Sequence, residues 1–396
     1  MWSLTRNGRI RLAAIVAVSA TAAVGTGLSA LPQAWAGSQG VAYRSAANRT
    51  AGLVAADRAA AGPAAGLAEP ASPGAGSWRL LRKWRVAHGG ILSVLVALPH
   101  GDAWAFGEYG EVAPYSGHPL AEYWNGSAWS LSALPAGVHC GPIAAAGASS
   151  AANVWAVGVD GCVLRLVGTK WTVAKNFNSG GQFTGIAVLG PSDVWVFGAT
   201  AAPAGRPGLG TWHYNGSFWR QTHGIGGEVQ SASAASATDI WAIGIADHDN
   251  QLRSFLEHYT SGRWQRVATG SLIPYSALAS GSRVWMQGSV GQSPASVLER
   301  LHSGHWQPVA APDAGASYGQ QPPISDGRGG LWLIGTSGNL LVPDLALHLS
   351  STGRWTVSTF SAGTELLDLA RVPASTSVLG LAFIKGHMAL YGYGRG

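Results

Sequence analysis

Six short apolar stretches set the rhythm of the chain. They read HGDAWAFG ending at Gly107, AANVWAVG at Gly158, SDVWVFG at Gly198, ATDIWAIG at Gly244, GSRVWMQG at Gly288 and GGLWLIG at Gly335. In each, the apolar core runs without alternation, β-branched and aromatic residues dominate, and Gly closes the run. Such runs predict short strands buried on both faces. In four copies a turn-type residue stands two positions before the Trp: Asp102, Asn153, Asp193 and Asp239. A strand buried on both faces needs a neighbour on each side. A repeated one therefore predicts a chain built of repeated units.

The tryptophans of these stretches lie at 104, 155, 195, 241, 285 and 332, with spacings of 51, 40, 46, 44 and 47 residues. SVLGLAF, around Leu379, continues the series 47 residues further on. Periods of this size with strand-like content predict β-propeller blades. Segments of small residues precede the Trp strands: IAAAGAS from Ile143, VQSASAAS from Val229, YSALAS from Tyr275. Small side chains suit innermost strands, which converge on a crowded channel. A third strand follows each Trp strand, with a hairpin to a fourth, as in EYWNGSAWS, TWHYNGSFWR, EHYTSGRWQ and RLHSGHWQ. Asn125-Gly126 and Asn215-Gly216 match the two-residue hairpin, whose turn positions both take positive φ. Fourth strands carry Trp129, Trp171, Trp219, Trp264, Trp306 and Trp355.

One strand and one gap remain. Trp84, in SWRLLRKWRV, precedes the first inner strand and has no blade. The last unit, at 366–369, 378–383 and 388–393, lacks a fourth strand. The orphan strand is expected to fill that place and close the ring without an open blade edge. The expected fold is all-β: one seven-bladed β-propeller of four-stranded blades over residues 78–396. A sandwich or two separate domains would explain neither the orphan strand nor the period.

Upstream of residue 78 the pattern is different. Arg6, Arg9 and Arg11 precede an apolar, Ala-rich run over 12–31, and Ala34-Trp35-Ala36 is an A-x-A cleavage signal. Residues 1–36 read as a secretory signal peptide, cleaved before Gly37. The Ser, Thr and Gly in the apolar run favour cleavage over permanent anchoring. Residues 37–77 are mostly Ala, Gly, Pro and Ser, too poor in apolar bulk to offset ordering, and read as a disordered linker. The mature protein is thus expected to be secreted, free of the membrane and monomeric. Charged residues make up only 11% of the chain, and loss of three Arg with the signal lowers the formal charge from +6 to +3. With no extended basic run, nucleic acid is not an expected partner.

From Trp78 to the C-terminus the sequence resembles the secreted bacterial repeat proteins with DVWAVG followed by HWNGxxW, a propeller group similar to kelch and Asp-box proteins. The resemblance implies secretion and a ligand-binding scaffold, and no particular reaction. Asp-box proteins place Asp and Trp around the third-to-fourth hairpin, whereas this chain has Asn125, Asn215 and Thr260 there. Sialidases also need inner-strand arginines near the loops. Arg371 is the one inner-strand Arg, and it lies at the far end. GxSxG, HExxH, P-loop and dinucleotide fingerprints are absent. No cofactor is expected.

Candidate chemistry falls in the loops. Cys140 and Cys162, the only cysteines, flank the second blade at one end, and in an exported chain they are expected to form a disulfide. The loops between second and third strands share a face with the links between blades. The longest, 108–119, holds Glu108, Tyr109, Glu111, Tyr115 and His118. Carboxylates beside rings suit a sugar site, or acid and base in glycoside cleavage. Asp247, His248, Asp249 and Asn250 crowd the equivalent loop of the fourth blade; they lack the Gly and Glu spacing of a calcium loop, and Asp247, Asp249 and Asn250 are read as ligand-binding rather than metal-binding. His88, His139, His223 and His387 approach the same face, but nothing in the sequence puts them on one radius, and no metal site is assigned. The expected function is an exported, non-enzymatic binding module for an extracellular glycan or protein. The alternatives are a polysaccharide-directed glycoside hydrolase or lyase using Glu108 and Glu111, and a structural cell-envelope domain.

Overall fold

The computed structural model describes residues 77–110, 117–136, 140–177, 181–200, 209–248, 251–291, 296–310, 312, 317–318, 321–336 and 344–394. The proposed signal peptide, and the proposed linker up to residue 76, lie outside them. The described chain is a seven-bladed β-propeller of antiparallel blades. Blade 3 is typical: inner strand Gly181–Gly190, second strand Asp193–Thr200, third strand Thr211–Tyr214 and outer strand Trp219–Thr222. The Trp stretches are the second strands. Val194, Val196 and Phe197 have no exposed surface and Trp195 is 2% exposed, because a neighbouring blade covers each face. This is why these strands lack alternation.

The inner strands share a device that sequence did not predict. In blades 1, 2, 3, 4, 5 and 7 the pairing with the second strand slips at one equivalent place, leaving Ser93, Ala144, Thr184, Gln230, Tyr275 and Leu367 unpaired. A bulge bends its strand and increases local twist. Six equivalent bends turn the inner strands together around the channel. In blade 6 the same place is a break between Ser317–Tyr318 and Ile324–Ser325.

The blades are joined by aromatic edges. The second-strand Trp of one blade meets the outer-strand Trp of the next: Trp104 with Trp171 at 5.2 Å, Trp155 with Trp219 at 6.1 Å, Trp195 with Trp264 at 6.4 Å and Trp241 with Trp306 at 6.3 Å, all edge to face. Such pairs add to the free energy of burial.

Ring closure follows the expected course with one correction. Trp78–Trp84 is the outer strand of blade 7, in the order Trp78–Trp84, His387–Tyr393, Val378–Ile384, Thr364–Arg371. The residue equivalent to the other outer-strand tryptophans is Trp78, not Trp84. Trp78 pairs with Tyr393 and meets Trp332 of blade 6 edge to face at 5.6 Å. Trp84 instead stacks on Trp129 of blade 1 at 4.7 Å and donates its indole N–H to Glu122. The register slips between Leu80 and Arg82, so Leu81 is an extra residue. It turns the two halves of the strand to opposite neighbours.

The hairpins also needed correction. Two-residue hairpins with both positions at positive φ are Ser261-Gly262, Ser303-Gly304 and Lys385-Gly386. At Asn125 and Asn215 the loops have four residues, and only Gly126 and Gly216 have positive φ. Asn125 Oδ1 accepts from the Ser127 and Ala128 amides, and Asn215 Oδ1 from those of Ser217 and Phe218. The side chain closes a local turn of its own, which competes with the tighter one. In blade 2 the Cys140–Cys162 disulfide is present, its ends separated by 22 positions in the sequence. Closing a loop of that length contributes about 3 kcal/mol.

A carboxylate spans the seam at the inner strands. Asp368 of blade 7 accepts the Leu95 amide of blade 1 at 2.7 Å and the Leu369 amide at 2.8 Å. Desolvation outweighs both bonds and raises its pKa from 3.8 to about 7. The folded state therefore holds this proton more tightly than the unfolded chain. Its contribution to stability is largest below pH ~4 and falls as pH rises to ~7, where both states are ionised. Denaturant titrations across that range should show wild type losing stability relative to Asp368→Asn as pH rises. A constant difference would exclude the shift.

Candidate binding face

The upper face carries the second-to-third hairpins and the links between blades. In blade 1 the hairpin is longer as a ladder and shorter as a loop than the sequence suggested. Glu108 pairs with Pro119 and Tyr109 with His118, so all four belong to strands. Glu108 is 6% exposed. A Cβ on Gly117 would lie 2.2 Å from its carboxylate, so any larger residue there would have to displace the Glu108 side chain. Tyr109 is half-buried and His118 exposed. Glu111 and Tyr115 lie outside the described residues.

His88 joins them. It sits in the one-turn helix Ala87–Gly89 that links blade 7 to blade 1, at φ 57°. Its ring lies 4.7 Å from that of Tyr109, and Tyr109 lies 5.2 Å from His118. Three rings thus form a ledge with exposed imidazoles on either side of the phenol in the chain of contacts. The ledge is held from below. Glu122, 3% exposed on the third strand of blade 1, accepts the Ala87 amide at 3.0 Å and the Trp84 indole at 2.8 Å. One buried carboxylate therefore fixes both the seam strand and the turn that presents His88.

The other predicted residues do not meet this ledge. Asp247 pairs with Leu252 and His248 with Gln251, so the second and third strands of blade 4 run ten residues each and extend further than those of the other blades. Asp249 and Asn250 lie outside the described residues. Blades 1 and 4 are not neighbours, so the two candidate loops do not form one compact site. His223 is exposed in the link to blade 4, and His387 lies beside Arg85 on blade 7. His139 lies outside the described residues. Among those described, no three His, Cys, Asp or Glu gather as metal ligands, and no helix is long and apolar enough to cross a membrane.

The lower face, with the first-to-second and third-to-fourth turns, holds a repeated polar cluster that sequence reading took for plain turns. Asp193 Oδ1 accepts from the Trp195 indole at 3.0 Å and contacts His213 Nε2 at 2.8 Å, while His213 stacks on Trp195. Asp239, Trp241 and His258 repeat this in blade 4. In blade 6, Asp326 reaches His348, which stacks on Trp332. In blade 2, Asn153 takes the Trp155 indole and Arg165 covers the ring. In blade 1, Tyr123 donates to Asp102; burial, and then that carboxylate, push the phenol up to about 12. Each carboxylate is committed to its own blade. In blades 2, 3 and 4 these clusters hold the tryptophan indole in place.

No family model and no curated protein matches the sequence. Solved structures match the fold. The structure of YCF48 bound to D1 peptide is 14% identical, with a TM-score of 0.57 over 81% of this chain and 97% of that one. YCF48 from Cyanidioschyzon merolae is 12% identical, with a TM-score of 0.53 over 80% and 99%. The β-propeller domain of the Trilobed protease from Pyrococcus furiosus is 8% identical, with a TM-score of 0.52 over 77% and 95%. At these identities the likeness is one of fold.

Proposed function

We propose that the protein is an exported, non-enzymatic binding module that takes an extracellular ligand on its upper face at blade 1. The observation that carries this is the ledge of His88, Tyr109 and His118, which presents ring surface beside solvent without a catalytic pair. A protein segment is the favoured ligand. Exposed rings with adjacent backbone suit peptide side chains, and the structural neighbour YCF48 was solved with a peptide. A glycan is the second reading, because the same rings could stack on a sugar face. The hydrolase alternative is weakened by the burial of Glu108, whose carboxylate is walled in by Gly117 instead of facing a cleft. Export rests on the N-terminal sequence and accords with the disulfide.

The test is a screen of peptide and glycan arrays with wild type and Tyr109→Ala. Tyr109 is the middle ring of the ledge and half-buried, so its loss should weaken binding at least about tenfold, as for a central aromatic contact, and leave the melting temperature within a few degrees. Unchanged binding would remove the ledge from the site. Cleavage of a bound glycan that Glu108→Gln abolishes would replace the binding module with the enzyme.

A further inference from the structure

Blade 5 breaks the lower-face pattern, and the break leaves a hole of defined chemistry. Two positions before the Trp, four blades carry Asp102, Asn153, Asp193 and Asp239; blade 6 supplies Asp326 from its inner turn. Blade 5 has Arg283 there. On the third strand, opposite the Trp, blades 3, 4 and 6 have His213, His258 and His348, whereas blade 5 has Arg300 opposite Trp285. The oxygen acceptor has become a cation, and it faces a third-strand arginine placed as Arg165 is in blade 2, opposite Trp155.

The consequence is visible at Trp285. It is 1% exposed, and its indole N–H has no acceptor. Trp78, Trp104, Trp129, Trp171 and Trp264 share that lack, so what sets blade 5 apart is the pair of arginines beside the ring. Arg283 is held in place by donating to Gly329 O and to Ser351 O. Arg300 makes no hydrogen bond or ion pair among the described residues. Arg283, Trp285 and Arg300, with Gln307, Ser350 and Ser351, line a cleft of about 190 Å³ between blades 5 and 6. No carboxylate lines it. Asp326 of blade 6 is occupied by the Arg328 and Gly330 amides and by His348.

We infer that this cleft is an anion site whose ligand is a carboxylate group. The sister blades show the chemistry. In blades 3 and 4 a carboxylate oxygen accepts from the Trp indole and contacts the third-strand imidazole. In blade 5 a carboxylate from outside the chain would lie beside the Trp285 ring and accept from the guanidinium fork of Arg300. The cleft is small, which suits a short free acid or one acidic side chain of a peptide. It lies on the face opposite the ring ledge and does not depend on it.

The test follows the Trp285 indole N–H resonance by NMR, assigned with Trp285→Phe. The probes are acetate, a blocked peptide with a single Glu, and inorganic phosphate, each at constant ionic strength against chloride. The expected result is a saturable shift of that one indole signal with a carboxylate probe, at a dissociation constant on the order of 1 mM. Arg300→Gln should weaken it at least about tenfold, and the exposed Arg354→Gln should not. The other indole signals report whether each variant is folded, and the wild-type titration decides even if one is not. If acetate binds as well as the peptide, the source is a free acid; if the peptide binds tighter, it is an acidic side chain. Failure of both carboxylates to saturate, saturation by phosphate alone, or full affinity in Arg300→Gln would each overturn the inference.

Discussion

Removing residues 78–86 should unfold the propeller or lower its stability by on the order of 5 kcal/mol or more, much of what a domain possesses. The segment is the outer strand of blade 7 and pairs with His387–Tyr393 along its length. Its loss also strips two interfaces at once. Trp78 leaves the cluster of Trp332, Phe360 and Tyr393, and Trp84 leaves Trp129 and Glu122. Glu122 would then keep a buried carboxylate with one partner fewer, a further penalty. By contrast, deleting residues 37–76 should leave the melting temperature nearly unchanged, because that composition cannot build a core. A thermal scan comparing the two deletions decides the matter. Equal melting would mean that the ring closes in some other way.

Trp195→Ala is the single substitution expected to cost most, about 3–5 kcal/mol, the range for emptying a buried aromatic site. Trp195 stacks on His213 in its own blade and meets Tyr259 and Trp264 edge-on in the next. Its removal opens a void at the interface of blades 3 and 4 and takes the indole donor from Asp193. The surrounding strands are fixed by their ladders and collapse little into the space. Denaturant titration measures the effect directly. A loss under ~1 kcal/mol would mean that Trp195 does not join the blades.

The period of the apolar runs carries the blade count and the strand order, because a strand covered on both faces cannot alternate and its copies must be neighbours. What the period does not carry is register. Trp78 and Trp84 are both aromatic residues on one strand, and only the extra residue Leu81 decides which faces blade 6. Glu108, Tyr109 and His118 looked like loop residues because Gly110 and Pro119 punctuate them. The proline sits at the second residue of its strand, where the ladder tolerates it. The Asp–Trp–His clusters were hidden for a similar reason. Asp193 and His213 are 20 residues apart and Asp239 and His258 are 19, so their meeting depends on strand pairing, and an Asp before a strand reads first as a turn.

The closing strand also sets a timetable. Arg85 and His387 touch across 302 residues, and Trp78 pairs with Tyr393. Most other pairings join strands only a hairpin apart. Local hairpins can form while the chain is still being made, but the seam waits for the strand His387–Tyr393, more than 300 residues downstream of its partner, and contacts of such long range form slowly. Until then Trp78, Leu80 and Trp84 remain on an unpaired strand beside blades already half assembled. The interval between synthesis of the first strand and arrival of its partner is therefore when the chain is most open to mispairing with another copy of itself.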